Sequence, residues 1–364
     1  MDMRNKVFPF ILALMTTCPV AAQEPLFQFN HMDFGVTLGT TGLGFDVAMP
    51  ANEWVRLRTG LSYTPKIEVP MTFGIQVGDD ASTSQEKFDR LSGYLTNFTG
   101  NQVKQEVDMI GRPTMWNWNF MVDVFPLKNN RNWHVTAGFY LGPSKAAESF
   151  NKTESMASLM AVDMFNHIYE RVINSPILTD PFYFYEHNVV EVLQDIQLLR
   201  DLGLINSLDL PAELNNYYLD PDKNIVKTAY QNIANYGRMG VHLGVYKRDI
   251  VDENGNIIHK KGEAYVMEPD ENSMVWADMK VNSFKPYIGI GYDGKLLKND
   301  ERLHIGFDAG IMFWGGTPQL KAHDGTDLIN DVEDIPGKVG DYVNVMSKFK
   351  VYPMANLRIS YRLF

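Results

Sequence analysis

The sequence predicts an all-β fold with helical insertions: an antiparallel transmembrane β-barrel of about eight strands, within a range of eight to twelve, carrying long helix-containing loops. Three observations predict it. Segments of about ten residues alternate between apolar and polar side chains, which is the strand period. Aromatic residues gather near the ends of those segments. The connections are short and polar on one side and long on the other.

The N-terminal segment sets the compartment. Met1–Asn5 is short and polar, Arg4 and Lys6 supply charge, and Val7–Met15 is a compact apolar run. Val20-Ala21-Ala22 places small residues at the minus-three and minus-one positions. Residues 1–22 therefore read as a secretory signal peptide cut after Ala22, leaving 23–364 as the mature chain. The apolar run is too short for a spanning anchor, which needs about 20 residues. Cys18 is preceded by Met15-Thr16-Thr17, without the Leu and small residue of a lipoprotein signal. It is the only cysteine, so the mature chain has no disulfide and relies on packing and strand pairing.

The 364 residues carry 33 Lys+Arg against 44 Asp+Glu. That acidic balance excludes a nucleic-acid partner, because phosphate backbones need a basic surface, and it offers no polybasic patch for lipid headgroups. At 45% hydrophobic and 21% charged the composition looks soluble, and no run of 18 apolar residues follows the signal, which excludes a helical membrane protein. A barrel escapes that exclusion, because only every second strand residue meets lipid.

Eight segments form the smallest consistent strand set: 33–39, 43–49, 54–64, 115–125, 132–142, 283–293, 302–314 and 350–363. In the first pair, Phe34, Val36 and Leu38 hold even positions and Leu43, Phe45, Val47 and Met49 odd ones. The face switches within Gly39-Thr40-Thr41-Gly42, by a tight hairpin or a bulge. If a bulge, a strand is lost there, and Met239–Lys247 is the best candidate for an extra one. In the third segment Val55, Leu57, Leu61 and Tyr63 oppose Arg56, Arg58, Gly60 and Ser62. In the fourth, Trp116, Trp118, Phe120, Val122 and Val124 oppose Asn117, Asn119 and Asp123. In the fifth, Trp133, Val135, Ala137, Phe139 and Leu141 oppose His134, Thr136, Gly138 and Tyr140. In the seventh, Leu303, Ile305, Phe307, Ala309, Ile311 and Phe313 oppose His304, Gly306, Asp308 and Gly310. The last opposes Ala355, Leu357, Ile359, Tyr361 and Leu363 to Asn356, Arg358, Ser360 and Arg362.

A soluble sandwich alternates too. The barrel is favoured because the polar face is rich in glycine and mixes arginine with aspartate, as a narrow enclosed lumen requires. The aromatics Trp54, Trp116, Trp133, Trp314, Tyr361 and Phe364, with Phe313, read as membrane-interface girdles. Pro50–Glu53, Lys128–Asn132 and Leu296–Glu301 are the short turns, expected on the periplasmic side, and the C-terminus falls there too.

The long connections hold helical surface loops at 65–114 and 143–237. Ser84–Ile110 has helical spacing in Phe88, Leu91, Leu95 and Phe98. Ser155–Ile173 spaces Met160, Met164, Ile168 and Val172, Val189–Leu204 spaces Val189, Leu193, Ile196 and Leu199, and Ile225–Ile233 is shorter. The methionine stripe reads as helical core rather than as a promiscuous binding face. Glu253-Asn254-Gly255-Asn256 and Glu268-Pro269-Asp270-Glu271-Asn272 read as turns of hairpins above the membrane.

Chemistry-bearing motifs are sparse. Gly39–Gly44 has the wrong spacing and setting for a dinucleotide fingerprint, and there is no P-loop, His-Glu-x-x-His or Gly-x-Ser-x-Gly. Asp324, Asp327, Asp331, Glu333 and Asp334 fit no EF-hand and read as a solvated acidic loop rather than a calcium site. His304 and Asp308 share a face but stand about 13 Å apart along a strand, so no catalytic dyad is expected. The expected site is a lumen charge network of Asp46, Arg56, Arg58, Asp123, His134, His304, Asp308, Arg358 and Arg362, in which arginines pair with aspartates and plug the lumen. No catalytic residue, metal or cofactor is expected.

The segments Gly39–Val47, Phe284–Gly291 and Phe307–Gly315 resemble those of small outer-membrane β-barrel proteins of Bacteroides-type (Bacteroidota) bacteria, over roughly 30–142 and 238–364. That resemblance implies a location and a fold, not an activity. The ending Tyr361-Arg362-Leu363-Phe364 is similar to the signal read by barrel-assembly machinery, though the lipid-facing series ends at Leu363. The expectation is a non-enzymatic outer-membrane barrel, embedded in lipid and lipopolysaccharide, whose helical cap meets an extracellular ligand or envelope protein. The alternatives are an anion-preferring solute channel lined by Arg56, Arg58, Arg358 and Arg362, and a barrel enzyme using His134 or His304.

Overall fold

The computed structural model describes residues 30–78, 80–175, 178, 225–297, 300–348 and 350–364. The expected signal peptide and the helix expected at 189–204 lie outside them. Eighteen strands and four α-helices are described. In chain order the strands are β1 (Asp33–Gly39), β2 (Gly42–Pro50), β3 (Val55–Tyr63), β4 (Val69–Val77), β5 (Glu106–Pro113), β6 (Trp116–Val124), β7 (Trp133–Leu141), β8 (Lys145–Asn151), β9 (Met239–Tyr246), β10 (Ile250–Val251), β11 (Ile257–His259), β12 (Ala264–Met267), β13 (Trp276–Lys280), β14 (Phe284–Lys295), β15 (Leu303–Met312), β16 (Gln319–Ala322), β17 (Val332–Glu333) and β18 (Tyr352–Arg362). The helices are α1 (Ala81–Thr99), α2 (Met156–Ile173), α3 (Ile225–Tyr236) and α4 (Gly337–Lys348).

Eight strands close a barrel in the order β1-β18-β15-β14-β7-β6-β3-β2. All eight pairings are antiparallel. These are the eight segments that alternation picks out. The face switch between β1 and β2 is a hairpin, with Gly39 opposite Gly42 and Thr40-Thr41 as its tip. A positive φ of 91° at Gly42 makes the return possible. Phe34, Val36, Leu38, Phe45, Trp118, Ile288, Ile290, Phe307 and Ile359 are exposed on the outside of the wall, and their polar alternates point inward.

Met239–Lys247 is not a ninth barrel strand. It forms β9 in a second sheet, ordered β12-β9-β4-β5-β8-β13-β16, with β17 also on β9. Five of these strands prolong barrel strands across the long-loop end: β4, β5, β8, β13 and β16 extend β3, β6, β7, β14 and β15, in the same neighbour order. Across that junction the sidedness reverses. In β5–β6 the odd positions face inward throughout, yet inward Val107 and Met109 are apolar where inward Asn117, Asn119 and Asp123 are polar. The outward face of the second sheet is charged: Arg112 Nε donates to Glu148 at 2.7 Å, and Lys145 Nζ reaches Glu148 at 2.7 Å and Asp278 at 2.8 Å. Lys145's hydrogen bond, and then Arg112's, hold the Glu148 carboxyl below its usual range against the effect of burial. A wall that is apolar outside and polar inside becomes one that is polar outside and apolar inside.

The loops at 65–114 and 143–237 are therefore not purely helical. The helix expected over 84–110 ends at Thr99, where Gly100 takes a left-handed cap with φ 68°. Residues 106–113 are strand β5. Met156–Ile173 and Ile225–Tyr236 are helical as the spacing predicts. Leu159, Val162, Phe165, Ile168 and Val172 are buried, and Leu159, Val162 and Phe165 join the core of the second sheet, whereas Met160 of the methionine stripe is 54% exposed. Glu253–Asn256 turns the β10–β11 hairpin, with φ 85° at Gly255. Glu268–Asn272 also turns, but between β12 and β13, which are not neighbours. The Asp270 carboxylate accepts from the backbone N–H of Asn272 and Met274 and the indole N–H of Trp276.

The acidic loop is solvated at Asp324, Glu333 and Asp334, as expected, but not at Asp327 or fully at Asp331. Asp327 is 7% exposed and accepts backbone N–H groups of Leu320 and Ile329 and the Asn330 amide. Asp331 pairs with Arg248, and Asp324 accepts from the Tyr265 hydroxyl at 2.8 Å. Burial and Asp324 push that hydroxyl's pKa up.

Trp314 is not an interface residue. It is 3% exposed and packs with Met115, Ala146 and Val281 where the two sheets meet, its ring 5.0 Å from that of Tyr352. Trp314→Ala is expected to cost about 3–5 kcal/mol. Hydrogen exchange should then quicken in β5, β8 and β13 while the eight barrel strands stay protected; equal protection in both would show that the junction does not hold the second sheet. The other expected girdle residues are on the outside. Trp54, Trp133, Tyr361 and Phe364 sit at the short-turn end, where Trp133 meets Tyr292 at 5.2 Å. Trp116 is 51% exposed at the opposite end.

Candidate functional site

The barrel interior is the candidate site. Its first group joins β3, β6, β7, β14 and β15. Arg56 Nε donates to Asp123 Oδ2 at 2.9 Å, and its Nη2 lies 2.5 Å from Asp293. Arg58 holds Asp308 through both terminal nitrogens, at 2.8 and 3.2 Å, and reaches Asp123 at 3.2 Å. Thr136 donates to Asp123 at 2.7 Å, and His134 Nε2 sits 3.0 Å from Asp308. The two-nitrogen contact fixes orientation as well as charge. Asp123 is 0% exposed, Asp308 4% and the His134 ring beside it 3%, so each carboxylate depends on its partners rather than on water. The Arg56 guanidinium also lies 5.1 Å from the Phe125 ring centroid.

A second group joins β2 and β18. Arg358 Nη2 donates to Asp46 Oδ1 at 2.6 Å, and its Nε bonds the same carboxylate at 2.9 Å. Room for both groups comes from glycines on the inward face. A Cβ at Gly35 would lie 2.7 Å from Arg358 Nε, and one at Gly291 would lie 2.3 Å from His134 Nε2.

Toward the long-loop end the interior turns apolar. Met121, Tyr140, Tyr287, Met312 and Met354 pack across it, with the two tyrosine rings edge to face at 5.8 Å. Between this layer and the charges lies a space of about 30 Å³, bounded by residues including Asp46, Arg58, Asn119, Tyr140 and Asp308. That is room for about one water.

Seven of the nine residues expected in the network are thus gathered into two groups: Arg56, Arg58, Asp123, His134 and Asp308 in one, Asp46 and Arg358 in the other. Two stand apart. Arg362 lies at the short-turn mouth, its Nε 3.6 Å from Asp33, with a side chain 36% exposed. His304 is at the same mouth, opposite Ser360 on β18 and Lys295 on β14. Each is too near the strand end to reach the centre. Sequence reasoning missed Asp293 and Lys285. Both are at odd positions of β14, on the inward face with Tyr287, so alternation carried the signal. Lys285 is 0% exposed, and its ammonium donates to Asn117 Oδ1 at 3.1 Å.

No family model matches the chain, and no curated protein matches it. Solved structures with some likeness are outer-membrane proteins. CarO2 of Acinetobacter baumannii is 13% identical, covering 92% of this chain and 99% of its own, with a TM-score of 0.34. CarO of the same organism is 11% identical over 92% and 98%, at 0.32. A major outer membrane protein of Thermus thermophilus is 12% identical over 91% and 99%, at 0.24. At these values the likeness assigns no role.

Proposed function

We propose that the chain is a non-enzymatic outer-membrane barrel with a closed, charge-paired interior, which carries a folded extracellular layer for contact with a surface ligand or envelope partner. The reversal of sidedness between the two sheets is the observation that carries the membrane location. An apolar outer belt on a water-soluble protein would be a large exposed patch, whereas here it stops where the second sheet turns its charged face outward. The short turns then face the periplasm and the second sheet faces outside, and export would require the signal peptide expected at residues 1–22. Lipopolysaccharide would surround the outer rim, and the assembly machinery would read the terminal strand.

The filled interior supports closure. Arg56, Arg58 and Arg358, which would select anions in a channel, are each bound to carboxylates, and an apolar layer lies across the path above them. The enzyme reading has less support, since His134 is held between Asp308 and Asp293 with 1% of its side chain exposed. The protein reconstituted in planar bilayers is expected to show no stable conductance. Large, long-lived steps with anion preference would replace this reading with the channel. Membrane fractionation followed by gel migration that shifts on boiling tests the location: a soluble fraction and no shift would refute the barrel.

A further inference from the structure

The second sheet curls about an apolar cavity of about 400 Å³, closed on one side by α4. Its size falls within the ordinary range for small-molecule sites. Met71, Phe73, Met109, Met279, Leu320 and Val343 supply much of its lining. The polar side chains at its wall are already engaged. Arg112 bonds Glu148, and Ser149 donates to the Ala277 carbonyl at 3.3 Å. Among the described residues the lining is otherwise apolar in its side chains, with none placed to recognise a headgroup or a sugar, so the complementary ligand is hydrocarbon. Flexible methionines suit a chain that lacks a fixed shape, and unfilled apolar walls forgo the dispersion contacts such a chain would restore.

The cavity also has a side opening that fits one source. Strand β4 pairs with β9 only over Ile75, Gln76 and Val77. Among the described residues its lower part, Val69–Gly74, pairs with β5 alone and has a free edge toward the side where the β1–β2 hairpin stops short at Gly39 and Gly42. Ile67, Val69 and, on α4, Val345 are 67%, 41% and 50% exposed. Val69 and Val345 also line the cavity. Leu38, Leu43 and Tyr63 of the barrel's outer belt, 58%, 52% and 47% exposed, lie at this end of the barrel, and the link from Tyr63 to Val69 places Ile67 between exposed Lys66 and Glu68.

We propose that this cavity takes the aliphatic chain of a membrane lipid, entering sideways from the outer leaflet past Ile67 and the free edge of β4. The chemistry of the occupant follows from the lining. Its source rests on the outer-membrane reading above.

The probe is cis-parinaric acid, a fluorescent fatty acid excited by energy transfer from tryptophan, with the full-length mature protein in phosphatidylcholine nanodiscs. Transfer should saturate near one probe per chain. Ala147→Phe, which fills the cavity from β8, should weaken binding about tenfold. Val343→Phe fills it from α4 and gives the same reading if the first variant does not fold. A second arm holds the protein lipid-free in amphipol and supplies the probe on albumin. Ile67→Lys should slow loading from the bilayer about tenfold and leave the affinity measured from albumin unchanged. Binding that does not saturate, or that folded Ala147→Phe and Val343→Phe leave intact, overturns the site. Equal loading of Ile67→Lys from the bilayer overturns the sideways entry. The boiling shift is read on every sample, so failure of the barrel itself is seen apart from failure to bind.

Discussion

Asp308→Ala is expected to destabilise the barrel by about 3–5 kcal/mol, the penalty for stranding one member of a buried ion pair. The arginine it strands is Arg58, which is 7% exposed. Arg58 would keep only the 3.2 Å contact with Asp123, and that carboxylate is already shared with Arg56 and Thr136. His134 would lose its 3.0 Å contact at the same time. Urea titration of the boiling shift in detergent micelles measures the loss. The double variant Arg58→Met with Asp308→Leu should recover most of it, because an apolar pair of similar bulk has no desolvation cost to offset. Arg362→Ala should change the midpoint by less than about 0.5 kcal/mol, since that side chain is solvated at the barrel mouth. If Asp308→Ala and Arg362→Ala cost the same, the central group is not what holds the interior together.

The contrast between those two arginines marks how far the sequence could be read. Alternation puts Arg58 and Arg362 on the same inward face of their strands, and it does so correctly. What it lacks is height. A residue's distance from the barrel mouth depends on the register between strands, and register is set by pairings such as Arg58 opposite Met121 and Arg362 opposite Asp33. Period two alone does not contain that information. Asp293 was within reach of the same rule, because Lys285, Tyr287 and Asp293 share one parity on β14.

The second sheet was hidden for a different reason. Its strands alternate as the barrel strands do, but with the apolar positions on the other face, so a reading that ties apolar to lipid finds no continuation. Val107 and Met109 two apart are a strand signal, and Phe88, Leu91 and Leu95 just upstream are a helical one. Without Gly100 recognised as a stop, the helical spacing runs on into β5. Helix α4 was missed because Val339, Val343 and Met346 fall beside an acidic stretch that reads as loop.

Gly138→Leu is expected to abolish the folded barrel, at a cost beyond the usual range of about 1–3 kcal/mol for overpacking. Gly138 faces inward on β7, opposite Met121 of β6. A Cβ there would lie 2.1 Å from the Phe120 carbonyl oxygen and 2.9 Å from Met121 Cα. Both are backbone atoms, so no side-chain rotation relieves them. The strands would have to part, and in a closed barrel a gap in one pairing cannot be shed at an edge. The obstacle differs in kind at Gly291, where the nearest atoms belong to the His134 and Asp308 side chains. Gly291→Ala should therefore act through the charge network and share the phenotype of Asp308→Ala. Gly74 on β4 meets nothing within 4 Å, and Gly74→Leu should shift the unfolding midpoint by less than about 0.5 kcal/mol. Loss of the boiling shift in Gly138→Leu alone would show that strand coiling, and not only charge pairing, fixes so narrow an interior. A fully shifted Gly138→Leu would mean that β6 and β7 can separate without opening the barrel, and the close approach would then carry no stability.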